Sequence, residues 1–190
     1  MIPKLNNKPK RICAIDASTN SLAFAYFVDE KLSHYGKIRF TGTSTYEKIG
    51  DAARKTKAFF DNFPTDAIII EQTIYANSPK TAANLALSQG ALLGAAMISG
   101  IKIIGSTSPM VWQNYIGNKR LSTAEKLEIL KQFPDRSKSW IKSYERSMRK
   151  NRTIKFVNTY FDININDDDV ADAIAIGHWA NHNWDKAFKY

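Results

Sequence analysis

The apolar run RICAIDAS, residues 11–18, constrains this chain more than any other stretch. It begins on a charge and ends at the turn formers Ser18, Thr19 and Asn20, which predicts a central strand presenting the carboxylate of Asp16 at its C-terminal end. Leu22–Val28 and Leu32–Phe40 follow as two more strand patterns. The polar Asp29, Glu30 and Lys31 between them predict a short turn, so the three runs are expected to form an antiparallel meander.

The rest of the chain alternates. Ser44 with Glu47 three positions on has the spacing of a capping box, and Ile49, Ala53 and Phe60, widened by Ala52 and Phe59, give a helical apolar stripe up to Pro64. Ala67–Ile70 reads as a short buried strand that delivers Glu71. Ser78 and Pro79 precede an alanine- and leucine-rich helix over about Lys80–Ser99, stopped by Gly100. Gly90 and Gly94 within it allow close backbone packing. Ile101–Ile104 predicts another strand, Ser108 and Pro109 a helix start, and Leu121–Lys131 a helix capped by Ser122 or Thr123. A further strand is expected around Ile154–Tyr160. With 190 residues one domain is the default, and this order predicts an α/β protein with a mixed central sheet flanked by helices.

Four carboxylates stand out. In DDDVADAIAIGHW, Asp167 or Asp168 can cap a helix, which places Asp169 and Asp172 three residues apart on one face near its N-terminus. Capping and the helix dipole account for the first acids, but Asp172 already lies inside the helix, where aspartate is a mediocre helix former. Asp16 and Glu71 each mark a strand end, which by itself signifies only where a strand meets water. Brought together on the rim of an α/β sheet, four carboxylates repel one another unless they bind a cation, and all-oxygen donors suit Mg²⁺. Two such ions roughly 4 Å apart activate water and stabilise the leaving oxygen of a phosphodiester. The three histidines offer no competing site: His178 and His182 are four apart, but the chain has no H-E-x-x-H pattern and no cysteine near them.

Charge is concentrated. The chain carries 27 Lys and Arg against 18 Asp and Glu, and between Arg136 and Lys155 eight basic side chains oppose the single acid Glu145. A local patch of that density focuses potential on a polyanion. Segment 134–155, treated as an insertion or arm of the one domain (1–190), places Lys138, Lys142, Arg146, Arg149, Lys150 and Arg152 as candidate phosphate contacts, and Lys119 with Arg120 forms a second group. Trp140 and Tyr144, four apart, either dock this segment on the core or stack on exposed bases. Cys13, the only cysteine, cannot form an internal disulfide and suits a reducing, cytoplasmic compartment. No secretory signal is expected at the N-terminus, and the apolar stretch Leu85–Ile98 is too short and mixed to predict a membrane span.

Asp16 in IDASTN, Glu71 in IIIEQ, the following NSPKTAANLALSQGALLGAA helix, and Asp169 and Asp172 in DDVADAIAIGHW resemble the RuvC-type Holliday junction resolvases of the ribonuclease H-like superfamily, over most of the chain but weakly between Asn118 and Tyr160. The resemblance implies a mixed five-stranded sheet flanked by helices, and Asp16, Glu71, Asp169 and Asp172 as both catalytic and metal-binding residues for Mg²⁺, with Mn²⁺ able to substitute. It implies a homodimer that resolves four-way DNA junctions by paired symmetric nicks. Ile74 stands where cellular members commonly carry an aromatic residue, with Tyr75 beside it to supply stacking. The basic segment is more similar to phage-encoded relatives, some of which cut branched DNA broadly. A structure-selective nuclease for flaps, forks and Y-junctions, and a junction-binding protein without enzymatic activity, are the alternatives.

Overall fold

The computed structural model describes residues 7–72 and 78–188. Three antiparallel strands, β1 (Arg11–Ala17), β2 (Ser21–Val28) and β3 (Lys31–Arg39), form the expected meander, and β4 (Ala67–Glu71) and β5 (Ile103–Thr107) run parallel to β1, giving the order β3-β2-β1-β4-β5. The β2–β3 turn places Asp29 and Glu30 at positive φ, as a two-residue hairpin requires. β5 starts two residues later than the apolar pattern indicates, because Ile101 belongs to the core beneath the strand while the small residues Gly105, Ser106 and Thr107 continue the pairing with β4.

The period-2 alternation sorts the strands between two cores. Cys13, Ile15, Ile68 and Ile70 face α1 (Thr45–Asn62) and α2 (Pro79–Ile98), packing with Phe59, Phe60, Leu92 and Ala96. Ile12, Ala14, Ala67 and Ile69 face the opposite side, against α6 (Asp168–His182). The Ser44–Glu47 capping box forms. By length and composition alone α2 is apolar enough to cross a bilayer, a longer span than Leu85–Ile98, and it packs along α1 and over β1. Gly177 lets α6 lie close on the sheet: a Cβ there would fall inside contact distance of the Phe27 ring.

α3 (Pro109–Tyr115) and α4 (Thr123–Gln132) follow β5, with Ser122 and Glu125 forming a second capping box. α5 (Lys138–Phe161) then runs 24 residues, and α7 (Trp184–Ala187) closes the described chain. The strand expected at Ile154–Tyr160 is therefore helix. β-branched Ile154, Val157 and Thr159 favour a strand locally, but Thr153 and Val157, one turn apart, are fully buried towards α6, so tertiary packing overrides propensity. α5 docks through Ile141, Glu145, Thr153 and Val157. Trp140 and Tyr144 stack on each other, Phe133 packs on Trp140, and Arg136 lies over the Trp140 ring.

Candidate active site

Strand register assembles the site. Ile12 and Ala14 point towards α6, so two residues on, Asp16 shares that face; by the same count Ala67 and Ile69 place Glu71 there. β1 and β4 are adjacent and parallel, paired through Ile15 and Ile70, so the two acids leave neighbouring strand ends side by side. Above them stands the N-terminus of α6. Asp167 caps it, accepting from the backbone N–H groups of Asp169 at 3.0 Å and Val170 at 3.1 Å, and Asp169 and Asp172 follow within the first turns.

The acids stand near enough to shift one another's ionisation. Asp16 is held well above the ordinary carboxylate range, by burial first and then by Glu71, Asp172 and Asp169. Asp172 is pushed up to about 7, by burial and then by Glu71, against the lowering effect of a hydrogen bond from Thr153. Glu71 is raised by burial, opposed by the indole N–H of Trp112, which donates to Oε1 at 2.7 Å, and by Arg149. Asp169 is engaged differently: Lys37 Nζ lies 2.6 Å from its Oδ2. Among the described residues, no three His, Cys, Asp or Glu side chains stand close enough together to hold a metal ion.

A cavity of about 400 Å³ opens beside Glu71 and Asp172 and is lined by Arg120, Lys142, Arg146, Arg149 and Lys150. Five of the candidate phosphate contacts are thus brought to the carboxylates. Lys119 and Arg152 are not; Arg152 lines a separate groove with Tyr160, and its guanidinium reaches the Lys119 carbonyl. Tyr75 and the Lys138 side chain lie outside the described residues. Lys150 is ion-paired with Asp168.

Several site residues escaped sequence reasoning. Glu145, the only acid between Arg136 and Lys155, is an anchor: it accepts from the Leu121 backbone N–H at 2.8 Å and pairs with Lys126 at 2.9 Å. Asn118 donates to the Arg149 carbonyl and to Thr153 Oγ1. Together they fix α5 against the 118–126 segment, so its cations project from a braced helix. Arg149 Nε and Gln113 Oε1, both in the cavity wall, are buried and have no hydrogen-bond partner among the described residues. A buried donor in that state has unspent capacity for a ligand oxygen.

The sheet order and its flanking helices match a ribonuclease H-like α/β fold. The chain is similar in fold to a Thermus thermophilus RuvC structure (TM-score 0.67, 14% identity, 94% of this chain and 98% of that one) and to T. thermophilus RuvC in complex with a Holliday junction substrate (0.63, 16%, 89% and 90%). The yeast mitochondrial Holliday junction resolvase Ydc2 is a third neighbour (0.54, 13%, 99% and 85%). Compared by sequence, the chain matches no family model and no curated protein.

Proposed function

We propose that this protein is a divalent-cation-dependent endonuclease that resolves four-way DNA junctions as a homodimer. The observation that carries the reading is the placement of Asp16 and Glu71 on adjacent strand ends beneath the Asp169 and Asp172 turn of α6, beside a cavity walled by five cations.

The donor set fits Mg²⁺ or Mn²⁺: four carboxylates and no sulfur or imidazole, with burial and mutual repulsion raising Asp16 and Asp172 in a way that a cation would relieve. Bound there, such ions would supply Lewis acidity to the attacking water and the leaving oxygen. Asp16, Glu71, Asp169 and Asp172 would hold them. Trp112 keeps one Glu71 oxygen fixed and leaves the other to bind. Arg149 offers its unpartnered Nε to a phosphate oxygen, and Lys142, Arg146 and Arg120 neutralise the flanking backbone.

The exposed face of α2 supports pairing. Ala83, Ala86, Leu87, Gly90 and Met97 recur at helical spacing on its exposed side, with Leu87 50%, Met97 60% and Ile98 75% exposed. Among the described residues nothing lies within 4 Å of a Cβ built on Gly90 or Gly94, which leaves room for a second helix on the stripe. A copy seated there would supply the second active site that paired incision of a junction needs, and RuvC bound to a Holliday junction substrate shares the fold.

A junction-binding protein without enzymatic activity is the second reading, favoured by the lack of three convergent metal-binding side chains among the described residues. Incubating labelled four-way and Y-shaped DNA with Mg²⁺ or with EDTA separates the readings. Paired, EDTA-sensitive nicks in the four-way junction support the resolvase, equal cutting of Y-forms moves the assignment to a broader structure-selective nuclease, and binding without cleavage leaves the junction binder.

A further inference from the structure

Lys37 belongs to the same row as the active-site acids. Asp16 pairs with Ala23 across β1–β2, and Ala23 pairs with Lys37 across β2–β3, so the three share one sheet face in a line that Glu71 extends on the other side. Ala23 is small enough for the lysine to pass over it towards α6. The ammonium ends 2.6 Å from Asp169 Oδ2 and 3.0 and 2.9 Å from the two oxygens of Asp167. Lys150 holds Asp168 in turn. The three consecutive acids at the head of α6 are therefore all paired with lysines, two ammonium groups serving three carboxylates. Asp16, Glu71 and Asp172 form no ion pair among the described residues.

We propose that Lys37 is a tethered cation that competes with the divalent ion for Asp169, so that the site loads only when the ion displaces the lysine. This rests on the metal-dependent reading above. The geometry makes displacement inexpensive: Asp167 grips the same ammonium, so Lys37 can release Asp169 without leaving its second partner or disturbing the helix cap, which uses the backbone N–H groups of Asp169 and Val170. A unit positive charge a few ångströms from a divalent ion disfavours its binding even at the intermediate dielectric of a half-buried site.

The test is Mn²⁺ binding to the DNA-free protein, followed by the electron paramagnetic resonance signal of free Mn²⁺. Lys37→Met should tighten binding about tenfold, Lys37→Arg should leave it near wild type, and Lys37→Met combined with Asp169→Asn should bind no tighter than Asp169→Asn alone. Unchanged or weaker binding by Lys37→Met overturns the proposal; weaker binding would make Lys37 a positioning residue for Asp169. If wild type binds Mn²⁺ and cuts junctions yet Lys37→Met gains nothing, only this proposal fails. If none of the proteins binds Mn²⁺, the metal-dependent reading fails with it.

Discussion

Trp112 and Glu71 are joined by a hydrogen bond of 2.7 Å from the indole N–H to Oε1, and the tryptophan is fully buried. The β4–β5 register places Glu71 opposite Thr107, and α3 starts just beyond it, so the fold itself brings the indole to the carboxylate. Trp112→Phe keeps most of the packing and removes the donor. Cleavage should fall about 10- to 100-fold, the usual cost of losing a partner of a metal-binding carboxylate, with a stability loss of about 1–3 kcal/mol. Single-turnover kinetics at saturating Mg²⁺ and a urea melt measure the two separately.

The exposed stripe on α2 makes a prediction about assembly. Leu87→Glu puts a charge at its centre without touching a buried group. Light scattering should show a dimer for wild type and a monomer for the variant, which should cut one strand of a junction while losing the paired second cut. A dimer that survives Leu87→Glu places the contact elsewhere.

The cavity cations set salt dependence. Lys142→Ala with Arg146→Ala removes two exposed charges from the cavity wall. The slope of log affinity against log salt should shrink by about 2, with little change in cleavage once DNA saturates the enzyme. Filter binding across a salt series reads the slope.

His178 predicts an acid-sensitive stability. It is buried against Tyr115, Phe156, Tyr160, Phe161 and the neighbouring His182, and burial, followed by His182, lowers its pKa to about 4. Between the unfolded value of 6.5 and the folded value of about 4 the unfolded chain binds more protons, so stability is full above the window and declines as pH falls through it. In His178→Phe this decline should be smaller. Unfolding curves at pH 7 and pH 4.5 for the two proteins give the comparison, and an equal decline in both would assign the acid sensitivity to other groups.

The meander, the Ser44–Glu47 capping box and the positions of Asp16, Glu71, Asp169 and Asp172 were legible because each follows from a local period or a cap. Lys37 was not. From the turn, Val28 pairs with Lys31 and Phe27 with Leu32, and an unbroken ladder would put Gly36 opposite Ala23; the irregularity between Tyr26 and Phe27 shifts the register by one and turns Lys37 to the inner face. No residue type announces that bulge. The α5 helix was misread as a strand at 154–160 because β-branched residues signalled locally what burial against α6 decides globally. Trp112 carried no signal either, since its pairing with Glu71 depends on the crossover that sets α3 beside β4.

The most direct measurement is cleavage of an end-labelled four-way junction by wild type and Asp16→Asn, each with Mg²⁺ and with EDTA. The account predicts symmetric nicks in opposing strands that require Mg²⁺ and fall at least about 100-fold in the variant, with junction binding retained in both proteins. Cleavage undiminished in Asp16→Asn, or tight binding by wild type with no metal-dependent nick at all, would contradict it.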